Sequence, residues 1–265
     1  MDGICLQYLA SSLFHSTATT DSSMAESKHR LDRFLSIKTG IPKKNIRLLL
    51  AQNRVMVDGL VATNIHQIVD RFSFITLDNK ILQQRKRLYI MLHKPVGVVS
   101  ATKDKRHKTV IDVIRENNTL GITENDIHEL HIVGRLDLNS SGLLLLTNDS
   151  QWSEKLMDPK QKVEKVYEVK LKNPITQVCV EAFANGMYFP YENITTKPAT
   201  LDKVNETIAR VYLTEGKYHQ IKRMFGRFRN PVLAIHRIKI GDYTLGQHLK
   251  EGEIQELNEP RETAI

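Results

Sequence analysis

The sequence predicts an α+β protein in two parts, a small basic α/β unit followed by a larger mixed body. Two observations lead there. Strand-like runs outnumber helical ones without regular βαβ alternation, which argues against a doubly wound sheet. Charge is also unevenly spread: residues 28–87 hold 13 Lys/Arg against 4 Asp/Glu, whereas the whole chain carries a net +8, so the remainder is close to neutral.

The chain has 265 residues, 41% of them hydrophobic and 26% charged, enough apolar material to bury a core. No apolar run reaches the roughly 18 residues of a transmembrane helix, so no membrane association is expected. Cys5 and Cys179 are too few for a disulfide framework or a Cys-rich metal site, and the cytoplasm is the default compartment. Ile4–Leu13 is weakly apolar but lacks the basic flank of a secretory signal. With the Ser/Thr-rich run that follows, residues 1–27 read as a disordered extension.

In the basic unit, Leu31, Phe34 and Leu35 fall at the i, i+3, i+4 spacing of a helix stripe, which Gly40 closes. Pro42 suits the first turn of a second helix, where its missing N–H costs nothing. Ile46, Leu49 and Leu50 repeat the stripe, and Lys43, Lys44 and Arg47 take the opposite side. Arg54–Val61 then sets two β-prone runs around Asp58-Gly59, a tight-turn signal. Residues 28–80 therefore read as helix–helix–hairpin, with 81–87 as a linker. A cationic unit of this kind suits a polyanionic partner or a plain solvated face.

In the body, 88–92, 96–100, 163–171 and 208–213 read as strands. Residues 110–114, 153–157, 178–185 and 219–228 read as helices. Leu143–Thr147 is a continuous apolar run that fits a strand buried on both faces. Residues 251–265 are acidic, contain Pro260, and are expected to be a flexible tail. His128-Glu129-Leu130-His131 lacks the His-Glu-x-x-His spacing of a zinc protease, so its histidines are expected to be structural and no metal site is assigned.

The stretch His131–Asp149 carries the most information. A strand leads in and the buried run leads out; between them lie two glycines, Arg135, Asp137 and three small polar residues. Such a loop can hold a carboxylate at the lip of a cleft, or simply turn the chain. Gly134-Arg135-Leu136-Asp137-x-x-Ser140-x-Gly142-Leu-Leu-Leu-Leu-Thr147-Asn148-Asp149 resembles the signature loop of pseudouridine synthases. Lys94-Pro95-x-Gly97, Lys165-Val166-Tyr167, Thr196–Ala199 and Glu215–Phe225 resemble further family blocks in the expected order. Residues 28–80 resemble the S4 RNA-binding domain. Thr196–Ala199 and Glu215–Phe225, with Gln151-Trp152-Ser153, look most like the branch that modifies small-subunit (16S) ribosomal RNA.

The resemblance implies an S4-like domain over 28–80 and a catalytic domain over 88–250 on a mixed, mainly antiparallel sheet. It implies isomerisation of a uridine after base flipping, with no cofactor, in agreement with the lack of phosphate-loop or dinucleotide motifs. Asp137 is the expected catalytic carboxylate and Tyr167 the aromatic beside the flipped base. Lys222 is the expected cation pairing with Asp137, where many relatives have Arg; Arg223 is the neighbouring alternative. Arg135 is expected to contact RNA, and Lys43, Lys44, Arg47 and Arg54 to anchor it. A monomer acting on 16S rRNA in a partly assembled small subunit is the implied setting. The same chemistry on 23S rRNA, or a non-catalytic RNA-binding assembly factor, are the alternatives.

Overall fold

A computed structural model describes residues 28–259 and divides the chain into two compact units, meeting at Arg85 and Lys86. The first unit runs β1 (His29–Arg30), α1 (Leu31–Thr39), α2 (Lys43–Ala51), β2 (Val55–Val57), β3 (Leu60–Val61), β4 (Ile68–Val69), β5 (Ile75–Leu77) and β6 (Lys80–Gln83). The apolar stripes of both helices are buried: Leu31, Phe34 and Leu35 from α1, and Ile46, Leu49 and Leu50 from α2, pack with Val55, Val57 and Ile75. Asp58 (φ 51°) and Gly59 (φ 80°) both take positive φ, the requirement of a two-residue hairpin turn. The Asp58 carboxylate accepts from Phe74 N–H at 2.7 Å, which ties this turn to the chain ahead of β5. The four-stranded sheet has the order β3-β2-β5-β6. Residues 81–83, expected in a linker, are thus strand: β6 pairs with β5 and completes this sheet.

The second unit runs β7 (Tyr89–Lys94), α3 (Val110–Glu116), α4 (Glu124–Glu129), β8 (His131–Val133), β9 (Ser141–Thr147), α5 (Ser150–Met157), β10 (Lys165–Leu171), α6 (Gln177–Asn185), β11 (Tyr188–Phe189), β12 (Ile194–Thr195), β13 (Thr200–Lys203), β14 (Ile208–Leu213), α7 (Gln220–Gly226), β15 (Val232–Ile240), β16 (Tyr243–Thr244) and β17 (Ile254–Glu256). Nine strands form one sheet, ordered β13-β14-β10-β15-β9-β7-β17, with β16 on β15 and β8 on β9. Among the described pairings of this sheet, β9 with β15 is parallel and the rest are antiparallel.

The continuous apolar run of β9 follows from its place in the sheet. Leu144 and Leu146 enter one core with Ile90, Leu92, Val169, Val211 and Phe225. Leu143 and Leu145 enter the opposite core with Tyr89, Met91, Trp152 and Ile240. All seven residues of β9 are buried, so neither face tolerates a polar alternation. The polar end of the run is structural. Asp149 caps α5 by accepting from Gln151 and Trp152 N–H, and also accepts from the Tyr89 hydroxyl at 2.8 Å. Asn148 bonds the backbone of Leu88 and Lys86.

Three expectations for the body need correction. Residues 96–100 form a turn and one isolated bridge rather than a strand. The basic helix starts at Gln220 and ends at Gly226, with His219 left-handed (φ 47°) before it. The expected acidic tail contains β17, which pairs with β7 and buries Ile254 in the core. Residues 1–27, read as an extension, and the end of the chain from 260 lie outside the described residues. No helix among the described residues is long and apolar enough to cross a membrane.

Candidate active site

The loop between β8 and β9 borders a cavity of about 620 Å³. Asp137 lines it, beside Arg135, Tyr167, Lys165, Lys197, Lys217, His219 and Arg237. Its charged lining is Arg135, Lys165, Lys197, Lys217 and Arg237 against Asp137, Asp158 and Glu215, so cations are in excess. That is suitable for ribose and phosphate close to a reacting centre.

The loop is held from three sides. Lys94, at the end of β7 and fully buried, donates from Nζ to the carbonyls of Ser140 (2.7 Å) and Pro95 (2.8 Å). Gly97 N–H donates to Leu138 O at 2.9 Å. Ser100 exchanges bonds with residue 136, its hydroxyl donating to Leu136 O (2.8 Å) and accepting from Leu136 N–H (3.0 Å). The Lys94-Pro95-x-Gly97 block is therefore the clamp on the Asp137 loop. From the third side comes Arg237 on β15, 1% exposed, with Nε donating to Leu143 O (2.8 Å) and Nη1 to Arg135 O (3.2 Å). Its Nη2 is buried with no hydrogen-bond partner, a cationic donor left available inside the site.

Tyr167 stands directly opposite Arg237 in the β10–β15 register, at a bulge, and the guanidinium carbon lies 6.0 Å from its ring centre. Tyr167 as a whole is 8% exposed. The charges in this corner act on one another. Burial pushes the Lys94 ammonium down to about 8; the Asp137 carboxylate opposes that shift and the Arg237 guanidinium adds to it. Burial also lowers Lys165, with Arg237 contributing.

Of the expected site residues, Asp137, Tyr167 and Arg135 come together here. Lys222 and Arg223 do not line the cavity. The phase of α7 explains this: Ile221, Met224 and Phe225 turn into the core at i, i+3, i+4, which rotates 222 and 223 outward. Arg223 instead pairs with Glu192 at 2.6 Å. His219 is set against Asp137, with Nε2 3.5 Å from Oδ2, and the contact is an ion pair when the imidazole is protonated. In the first unit, Lys43, Lys44 and Arg47 are exposed on α2, but Arg54 is engaged: both carboxylate oxygens of Asp78 accept from it, at 2.7 and 2.6 Å.

Arg237 and His219 were not singled out by sequence reasoning. A signal existed for the first. In Val232–Ile240, position 237 shares the strand phase of Ile235, and a cation at an apolar position needs a partner or a task. For His219 no local pattern marks the left-handed residue that aims its ring at Asp137.

Residues 88–226 match the family model described as RNA pseudouridylate synthase. The chain belongs to the RNA pseudouridylate synthase family. It is 44% identical to the "Ribosomal small subunit pseudouridine synthase A" of Pseudomonas aeruginosa, over 86% of this chain and 96% of that protein. The protein of the same name from Escherichia coli K12 is 36% identical over 87% of this chain and 96% of its own. A crystal structure of a pseudouridylate synthase superposes with a TM-score of 0.60 at 32% identity, covering 86% of this chain and 96% of that one. The family's synthase chemistry matches a cavity that joins a carboxylate, a buried tyrosine and an excess of cations.

Proposed function

We propose that this pseudouridine synthase converts one uridine of small-subunit (16S) ribosomal RNA to pseudouridine, with Asp137 as its catalytic carboxylate. One observation carries the assignment of the residue: Asp137, on a loop clamped by Lys94 and Arg237, borders the same cavity as Tyr167 of β10. The RNA class follows from the relatives that share most of this chain's length.

The reaction breaks the C1′–N1 bond, turns the uracil, and joins C5 to C1′; the C5 proton is lost and N1 regains one. It is redox-neutral. The Asp137 carboxylate attacks C1′ or removes a sugar proton, and in either case its charge favours positive character on the ribose. Base extrusion costs a few kcal/mol, offset by contacts in the pocket and along the backbone. The Tyr167 ring supplies an apolar face for the extruded base, and its hydroxyl assists removal of the C5 proton. Arg237 holds the loop backbone on both sides of Asp137 and keeps the neighbouring field positive.

Residues 28–85 serve as an S4-like anchor on the RNA through Lys43, Lys44 and Arg47. The enzyme acts as a monomer in the cytoplasm, on a partly assembled subunit. Chemical mapping of pseudouridine across both rRNAs from cells lacking the gene tests the substrate, with loss of one 16S site expected. A vanished 23S site would reassign it. Asp137→Asn is expected to abolish product while leaving RNA affinity within a few-fold.

A further inference from the structure

Beyond the cavity, one surface of the second unit has no role in the chemistry above. Tyr218 forms part of the cavity wall yet is 71% exposed, and its ring stacks on His219 at 3.9 Å and 21°. Because His219 also faces Asp137, Tyr218 presents an aromatic face to solvent one side chain away from the carboxylate. Arg223 leads outward from there. Its Nη1 lies 3.5 Å from Tyr218 O, its Nη2 pairs with Glu192, and its guanidinium covers the Phe189 ring at 4.4 Å. Phe189 is itself buried, and Arg227 approaches the same ring at 6.0 Å.

Those contacts pin the β11–β12 hairpin onto α7. Pinning matters because the hairpin carries Tyr191, 98% exposed, next to the anchored Glu192. An exposed aromatic on a held turn is a surface onto which a planar group can settle with little ordering cost. Cations stand around it: Lys222, in the first turn of α7, and Arg227, just past its last residue, lie outside the core, while Arg223 is paired with Glu192. Exposed aromatic faces interleaved with Lys and Arg, beginning at the mouth of a nucleotide-sized cavity, match single-stranded RNA, whose bases offer π-faces and whose phosphates need cations.

We infer that Tyr218 and Tyr191 form a stacking platform for unpaired nucleotides flanking the target uridine, with Lys222 and Arg227 on their phosphates. The inference rests on the RNA-modifying reading of the cavity and adds where the neighbouring strand runs. It also gives Lys222, turned away from Asp137 by the helix phase, a place on the substrate path.

The test uses the full chain and a fluorescein-labelled, uridine-rich single-stranded RNA, followed by anisotropy at fixed salt. Tyr218→Ala and Tyr191→Ala are each expected to weaken binding about 5- to 150-fold, the range expected for removing one base stack. Tyr218→Phe and Tyr191→Phe are expected to bind within twofold of the wild type. Both side chains are exposed, so thermal midpoints should not move, which separates a stacking defect from a folding defect. Alanine variants that bind like the wild type would overturn the platform, as would phenylalanine variants as damaged as the alanine ones. Pseudouridine formation by the unaltered chain is assayed in parallel on ribosomal RNA; its failure would defeat the functional reading, while the binding series still judges the platform.

Discussion

Gly142 lies so close to the backbone of Arg237 that a Cβ at position 142 would stand 2.3 Å from the Arg237 carbonyl oxygen and 2.5 Å from its nitrogen. This approach occurs where β9 and β15 run parallel, at Ser141–His236 and Gly142–Arg237. It lets the Arg237 side chain reach Leu143 O on one side of the loop and Arg135 O on the other. The glycine of the family loop is thus a spacing residue: it sets how near the guanidinium comes to Asp137.

Gly142→Ala is the direct test. The residue has φ +109°, where an L side chain is strained, and the clashing atoms are backbone, which cannot swing away. Strain plus displacement of β15 should cost about 2–5 kcal/mol of stability. Urea unfolding is expected to show a lower midpoint, and turnover to fall at least tenfold at temperatures where the variant stays folded. A variant with wild-type stability and rate would mean that the two strands can separate without consequence.

A second expectation concerns Lys94 and pH. Its ammonium has a native pKa of about 8 against an ordinary 10.5. Below about 8 it is charged in both folded and unfolded chains. Between about 8 and 10.5 the unfolded chain holds the extra proton, so stability rises with pH through that window. Lys94→Met removes the effect, along with both hydrogen bonds to the loop. The stability gap between wild type and Lys94→Met should therefore widen from pH 8 to pH 10, by about 2 kcal/mol. Equilibrium unfolding at three pH values measures it; a constant gap would assign any alkaline slope to other groups.

What was legible in the sequence was local. Helix stripes such as Leu31-Phe34-Leu35, the Asp58-Gly59 turn and the doubly buried run at Leu143–Leu146 are each decided within a few residues. Asp137 and Tyr167 were legible through the family blocks around them. Arg237 was not, because its meaning comes from long-range strand pairing, to Gly142 of β9 on one side and Tyr167 of β10 on the other. β17 was hidden for a similar reason: Glu253–Glu256 looks like a polar tail until Ile254 docks opposite Leu92. The direction of Lys222 depends on helix phase, which Ile221, Met224 and Phe225 settle only once the core they join is known.

The basic unit supplies the remaining prediction, which separates cations that look alike in sequence. Lys43, Lys44 and Arg47 are exposed on α2, around the buried Ile46. Arg54 is held by Asp78, and the Asp78 N–H in turn donates to Arg54 O at 2.9 Å, so this pair joins the start of β2 to the β5–β6 turn. If α2 anchors RNA, removing each cation that neutralises a phosphate should reduce the salt dependence of binding by about 0.7–0.9 in log–log slope. Replacing Lys43, Lys44 and Arg47 by alanine should flatten that slope by about 2–3 and weaken binding at low salt. Arg54→Ala should leave the slope nearly unchanged, since its charge is already neutralised within the unit, and should lower thermal stability instead. Titrations of ribosomal RNA fragments from low to moderate salt give both slopes. A triple variant with the wild-type slope, or an Arg54→Ala variant that alone accounts for the flattening, would move the anchor away from α2.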